Sequence, residues 1–196
     1  MLLMGLRAAV YLEVSMGEES NANEYEAIKL AFDETGELTD EQLDVVADLA
    51  VSVLRSILAC FGENNCSIDE YDGDEGELIL DINNGDLAIL IGRHGVTLEA
   101  LQVVFTALLG KRLGFHYPVS VDVEGYKSRR REKVQSMARS AASRAKRSGN
   151  AVRLAPMNAY ERRLVHLALR GDDTVMTHSE GVDPERCVVI TGVKNS

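Results

Sequence analysis

The chain has 196 residues, of which 45% are hydrophobic and 27% are charged, as is usual for a globular protein with one large domain or two small ones. No apolar run approaches the roughly 20 residues of a membrane-spanning helix, and the first residues lack the basic start and long apolar stretch of a signal peptide. Three cysteines without a Cys-x-x-Cys pair favour reduced thiols in a cytoplasmic protein. The four histidines show no metal-ligand spacing, so neither a metal site nor a cofactor is predicted.

The net charge of −10 hides a strong asymmetry along the chain. Residues 1–90 carry 21 acidic and 3 basic side chains, whereas residues 91–170 carry 16 basic and 5 acidic ones. A basic segment of this size inside an acidic protein indicates binding to nucleic acid. The alternative is a solvated basic helix face balanced by acidic neighbours.

The N-terminal third begins with two weakly patterned segments. Residues 1–16 contain a possible strand at Ala8 to Val14, and residues 17–40 are acidic and polar. The second segment is therefore predicted to be a linker with at most one or two helical turns near Tyr25 to Phe32. A helix is predicted next, from a cap at Thr39 or Asp40 to about Phe61, because apolar residues recur along it at helical spacing.

A hairpin, a short loop and a second long helix follow. Asn65 to Tyr71 and Glu77 to Asn83 are predicted strands joined by an Asp- and Gly-rich turn. A short apolar helix then leads into the loop Gly92-Arg93-His94-Gly95. The segment after the loop is predicted to be an amphipathic helix, since apolar residues recur at three- and four-residue intervals. They are Leu98, Leu101, Val104, Phe105, Leu108 and Leu109.

The loop has the chemistry of a phosphate-binding corner. Its two glycines lack a Cβ, Arg93 supplies positive charge, and the following helix offers backbone N–H groups. By itself the pattern is also compatible with a plain helix-turn-helix corner. The order helix, strand, strand, helix, loop, helix, strand, closed by Pro118 to Val123, resembles a type II KH domain, whose Gly-x-x-Gly loop clamps about four nucleotides of a single strand.

The remaining chain is predicted to form a basic helix, a second helix and a small sheet. The basic helix runs from Tyr126 to about Ser148 and ends at Gly149. On the second helix Asn158 and Glu161 have capping-box spacing, and Arg162 and His166 lie one turn apart. Short strands are predicted before this helix and, as a pair, after it.

These residues resemble a known family. The stretch from Ala155 to His166, with Arg-x-x-x-His at its end, is similar to the R-three-H domain, as are Thr177 to Gly181 and Asp122 to Tyr126. A KH domain followed directly by an R-three-H domain is typical of the bacterial Jag proteins, also called KhpB or SpoIIIJ-associated proteins. In the Gly-x-x-Gly loop of this family the second variable position is frequently arginine, and this chain has His94 there.

The resemblance implies an α+β fold in three parts. Residues 1–39 are expected to be a remnant of the family's N-terminal domain plus an acidic linker, residues 40–125 a type II KH domain with order α-β-β-α-α-β, and residues 126–196 an R-three-H domain with helices on a three-stranded sheet. It also implies a cytoplasmic, non-enzymatic protein that binds single-stranded RNA, or single-stranded DNA, and acts in post-transcriptional regulation linked to cell division or sporulation. A small KH-only protein or a second copy is the expected protein partner.

The expected nucleic-acid-binding residues lie in three groups along the chain. His166, with an unperturbed pKa near 6.5, is further expected to gain charge and strengthen binding as pH falls. Two alternatives to this function are a scaffold that dimerises through its KH domain and a phosphate-handling enzyme, although no Lys-Ser/Thr follows the loop. The predicted binding residues are Gly92, Arg93, His94, Gly95, Lys127, Arg129, Arg130, Arg131, Arg162 and His166.

Overall fold

The computed structural model describes residues 23–73 and 76–193 and divides at residue 125 into two compact units. The possible strand at Ala8 to Val14 and the proposed domain remnant lie outside the described residues. Each unit contains helices and one three-stranded sheet, which confirms the α+β class.

The N-terminal unit follows the predicted order of elements. After a first helix over residues 23–35 (α1), the order α-β-β-α-α-β of a type II KH domain is confirmed. A single 3-10 turn, Arg93–Gly95, separates its last two helices. The elements are α2 (Asp40–Cys60), β1 (Ser67–Asp72), β2 (Leu78–Asn83), α3 (Ala88–Ile91), α4 (Val96–Leu113) and β3 (Val119–Val123).

The sheet of this unit has β2 at its centre, antiparallel to β1 and parallel to β3. Helices α2 and α4 pack against each other, and Leu54 and Phe105 are fully buried. Alternate residues of β2, Leu80 and Ile82, enter the same core. The predicted cap of α2 is confirmed as a capping box, in which the Thr39 hydroxyl accepts from the Gln42 N–H and the Gln42 side chain accepts from the Thr39 N–H.

The prediction of a linker with one or two helical turns before α2 is wrong for the residues that the structure describes. Residues 23–35 form the helix α1. Ile28 is buried, and the Phe32 ring lies 5.1 Å from that of Phe115 and 6.0 Å from that of Tyr117. Tyr25, Ile28, Ala31 and Phe32 recur at helical spacing, but the charged residues between them masked this pattern, and the aromatic partners of Phe32 lie more than 80 residues away in sequence.

The C-terminal unit places two helices on one sheet, as predicted. Its strand order is β4-β6-β5, antiparallel throughout. A narrow alanine stripe of the first helix packs on the sheet so closely that a Cβ at Gly192 would lie 3.0 Å from the carbonyl oxygen of Ala145. The elements are α5 (Tyr126–Ser148), β4 (Val152–Arg153), α6 (Ala159–Ala168), β5 (Val175–Glu180) and β6 (Cys187–Gly192).

Candidate nucleic-acid interface

The loop between α3 and α4 has a backbone that requires glycine at both ends. Gly92 has φ +67°, and a Cβ there would lie 2.8 Å from the Cβ of Thr97. Gly95 has φ +86° and is buried. L-residues with side chains rarely adopt such φ values, so the two glycines fix the shape of the corner.

Between these glycines the loop presents the side chains of Arg93 and His94 to solvent. Arg93 and His94 are both exposed, and His94 itself adopts φ +58°. Gly95 precedes α4 and has no side chain with which to cap the helix. The first N–H groups of a helix carry partial positive charge, so this corner combines backbone donors with Arg93 at one exposed point. All four predicted loop residues are brought together here.

The helix α4 differs from the amphipathic helix predicted for it. Its buried side holds Leu98, Leu101, Phe105 and Leu109, but Val104 and Leu108, assigned to that side from the sequence, are exposed. An apolar residue every three or four positions occurs on both sides of α4, so spacing alone could not identify the buried one. The exposed side is therefore apolar as well. Its members are Val96, Ala100, Val103, Val104, Ala107 and Leu108, and Val103 is 68% exposed.

The basic residues at the start of α5 separate into different environments. Arg129 and Arg131 are exposed and Lys127 is half-buried. Arg130 instead donates from Nε to Oε1 of Glu161 on α6 at 2.6 Å, and the Glu161 side chain is only 4% exposed. Glu161 thus serves this ion pair, while Asn158 caps α6 by accepting from the Glu161 N–H. The expectation that Arg130 belongs to an exposed basic surface is not supported by this geometry.

Arg162 is buried and holds two partners within its own unit, in contrast to the exposed phosphate ligand expected from the sequence. Its side chain is 9% exposed, and Nη1 donates to the carbonyl oxygen of Met157 at 2.8 Å and to Oδ1 of Asp183 at 2.6 Å. Asp183, whose side chain is 62% exposed, lies in the β5–β6 connection. Arg162 therefore ties the segment before α6 to that connection. A planar guanidinium with several donors suits this double role.

His166 is held by two hydroxyl groups of β5. Its Nδ1 lies 2.8 Å from Oγ1 of Thr177 and its Nε2 lies 3.1 Å from Oγ of Ser179. A neutral imidazole satisfies both contacts by donating to one hydroxyl and accepting from the other. Burial, then the positive charge of Arg162 and the proximity of His178, lower the pKa of His166 below 6.5. The unperturbed pKa expected from the sequence is therefore wrong.

We expect the lowered pKa of His166 to make the protein less stable in acid. The unfolded chain, with an ordinary histidine pKa, binds more protons than the folded one, so this contribution is complete above about pH 6.5 and is lost as pH falls below it. Urea unfolding followed by circular dichroism should show His166→Asn reducing the loss of unfolding free energy between about pH 7.5 and pH 5.5. His116→Asn, which replaces an exposed histidine of the other unit, is the matched control. An unchanged pH profile in His166→Asn would contradict the assignment.

The partners that define this arrangement are not evident from the sequence. Thr177 and Ser179 lie two residues apart on β5, and both of their side chains face α6. Asp183 forms an ion pair with Arg162, and Glu161 forms one with Arg130. A period of two in Thr177-His178-Ser179 is the only local signal that both hydroxyls share one face.

Two classes of feature are absent from the described part of the chain. No helix there combines the length and the apolar character that crossing a membrane demands. No cluster of three or more His, Cys, Asp or Glu side chains suited to holding a metal ion occurs among residues 23–73 and 76–193.

Two family models match the chain, one in each unit. The model described as KhpA/KhpB, KH domain, covers residues 51–122, and the model of the R-three-H domain covers residues 132–191. The first unit therefore matches a KH model over its sheet and the corner Gly92–Gly95, and the second matches the R-three-H model over α6 and its Arg-x-x-x-His pair.

Several curated proteins named "RNA-binding protein KhpB" are similar to this chain. The one from Clostridium symbiosum is 35% identical over 151 residues, which cover 76% of this chain and 67% of that protein. Those from Streptococcus pneumoniae serotype 2 and Bacillus subtilis are 28% and 26% identical, over 91% and 77% of this chain. The aligned region covers 56% of the streptococcal protein and 72% of the Bacillus one.

Proposed function

Because the chain belongs to the Jag/KhpB family, we propose that it binds single-stranded RNA through the corner Gly92–Gly95. The geometry of this corner supports the proposal: two glycines at positive φ allow a nucleotide backbone to approach the protein backbone closely, and exposed Arg93 lies between them. Membership follows from the Clostridium relative and the two domain models, and it confirms the resemblance drawn from the sequence.

The residues around the corner supply the contacts that a nucleotide strand needs. Arg93 and the N–H groups of the first turn of α4 that follow Val96, which no side chain caps, bind phosphate oxygens. Ile89 on α3 and Val96, the first residue of α4, are exposed and offer apolar surface to unstacked bases. Apolar surface accepts the face of any base, so this site would select single strands before it selects a sequence.

In the C-terminal unit we propose that Arg162 positions the RNA-binding surface and does not bind phosphate itself. Its guanidinium already holds Met157 and Asp183, whereas Arg129 and Arg131 on α5 are exposed and supply positive charge at the surface. His166 keeps Thr177 and Ser179 in fixed orientation, which would present their hydroxyls to a ribose or phosphate oxygen.

We propose binding without catalysis. The pair His166–Ser179 has the separation of a base and a nucleophile, 3.1 Å. The second imidazole nitrogen faces the Thr177 hydroxyl, however, where activating a serine calls for a carboxylate or an equivalent group that stabilises the imidazolium. The proposed role is post-transcriptional regulation in the cytoplasm, with the link to cell division or sporulation resting on family membership alone.

RNA binding of this kind should depend strongly on salt. Each phosphate neutralised on a single strand contributes a slope of about −0.7 to log affinity against log salt. With contacts at the corner and on α5, we expect a slope of about −2 to −4 between roughly 50 and 200 mM salt, measured by fluorescence anisotropy with an unstructured oligonucleotide. A slope near zero would argue against a phosphate-binding surface.

A second candidate function is dimerisation through α4. Its exposed apolar side, centred on Val103, has no cover among the described residues, and another KH domain presenting the same side would bury it. Sedimentation over the same salt series separates the functions. An assembly that forms without RNA and persists at high salt supports the scaffold, and an assembly that appears only with RNA supports the RNA-binding function alone.

A further inference from the structure

The solvent-facing side of α5 carries a row of cationic and hydroxyl side chains, here called the outer ridge. It lies opposite the buried stripe of Val134, Ala138 and Ala141. Helical spacing of three and four residues places its members on one line along about 21 Å of helix at about 1.5 Å per residue. The members, all exposed, are Lys133, Ser136, Arg139, Ser140, Ser143 and Arg147.

Two other basic residues of α5 are neutralised by ion pairs within the unit. Arg130 pairs with Glu161 and Lys146 pairs with Asp172, each at 2.6 Å, and both basic residues lie on the flanks of the helix. Lys133, Arg139 and Arg147 make no ion pair among the described residues. Glu132, beside the first of them, is the one acid of α5. The outer ridge therefore keeps its positive charge for an external partner.

The chemistry of the outer ridge suits a nucleic-acid backbone and does not suit bases. Single strands are held largely by stacking on aromatic or apolar surface, and no member of the ridge is aromatic or apolar. Cations and hydroxyls contact phosphates and ribose 2′-hydroxyls, which an RNA duplex displays at regular intervals. Ser143 Oγ donates to the Arg139 carbonyl oxygen at 3.0 Å, and Ser140 Oγ accepts from Arg144 Nη1 at 3.2 Å. The Ser143 hydroxyl can still accept from a 2′-hydroxyl, and the Ser140 hydroxyl can still donate to one.

We propose that the outer ridge of α5 binds the sugar-phosphate backbone of double-stranded RNA, a site separate from the single-strand site at Gly92–Gly95. Lys133, Arg139 and Arg147 bind phosphates, and Ser136, Ser140 and Ser143 face the ribose hydroxyls. The proposal rests on the proposed RNA-binding function and adds a second class of RNA to it. Sequence does not enter the recognition, because backbone contacts carry no sequence information directly.

The test uses the full chain and two RNA probes, a blunt hairpin with a short loop and an unstructured oligonucleotide. The ridge variant is Lys133→Gln, Arg139→Gln and Arg147→Gln together, since glutamine preserves helix propensity. The matched control removes three charges elsewhere, with Lys29→Gln, Lys111→Gln and Arg170→Gln. At about 0.1 M salt we expect the ridge variant to lose about tenfold or more in hairpin affinity, with a salt slope shallower by about one per cation, and to keep single-strand affinity within about threefold.

A loss on the hairpin that exceeds that of the control supports the site. Equal losses from both variants would mean that total charge governs binding, and equal losses on both probes would make the ridge part of the single-strand surface; either result overturns the proposal. A wild-type protein that binds the oligonucleotide but not the hairpin overturns the duplex site and leaves the proposed function intact. A wild-type protein that binds neither probe would contradict both the duplex site and the proposed single-strand function.

Discussion

Replacing Arg93 and His94 together by aspartate is expected to weaken single-stranded RNA binding by about tenfold or more while leaving the melting temperature nearly unchanged. Both side chains are exposed at the tip of the corner, and exposed substitutions usually change stability by less than about 0.5 kcal/mol. Two carboxylates at this point would repel the phosphates that the corner is proposed to bind. About 1.4 kcal/mol of lost attraction and added repulsion is enough for a tenfold effect, and one charge-assisted hydrogen bond can supply that much.

The chain offers a closely matched control for this variant. Arg112 and His116 are also an exposed arginine and histidine in the same unit, near the opposite end of α4. Arg112→Asp with His116→Asp makes the same change in net charge away from the corner. Anisotropy titrations at one salt concentration compare the two variants. If both lose affinity equally, or if the loop variant binds as the wild type does while remaining folded, the corner is not the binding site.

Replacing Arg162 by alanine is expected to lower the free energy of unfolding by about 2 to 4 kcal/mol. The substitution leaves the buried Met157 carbonyl without its donor and releases the Asp183 connection. Removing one partner of a buried ion pair costs about 3–5 kcal/mol, and the exposure of Asp183 places this pair toward the lower end. Urea unfolding followed by circular dichroism measures the change.

Arg163→Ala is the natural control, because the neighbouring arginine is exposed on the same helix. We expect it to change stability by less than about 0.5 kcal/mol. Arg162→Lys should also destabilise, since an ammonium group lacks the planar fork that reaches Met157 and Asp183 together. A variant Arg162→Ala with unchanged stability and reduced RNA affinity would instead identify Arg162 as a direct RNA ligand, and the positioning role would be abandoned.

The sequence by itself determined the order of elements and several of their ends. Thr39 and Gln42 stand three residues apart, and Gly149 follows a periodic run, so the start of α2 and the end of α5 depend on residues within one helical turn. The turn at the corner was equally predictable, because positive φ at Gly92 and Gly95 is a property of the local backbone. These local signals, with the sign change in charge at residue 91, indicated a nucleic-acid ligand, and the R-three-H domain was added by the resemblance of the stretch from Ala155 to His166.

Which polar and apolar side chains face solvent depends on contacts between segments far apart in the chain. Arg130 and Arg162 look like neighbours of exposed arginines in the sequence, yet their partners Glu161 and Asp183 lie 31 and 21 residues further along the chain. The outward side of α4 and the docking of Phe32 on Phe115 likewise depend on contacts between distant segments. Periodicity specifies that a helix has two sides, whereas burial and ion pairing depend on what the fold places against each side.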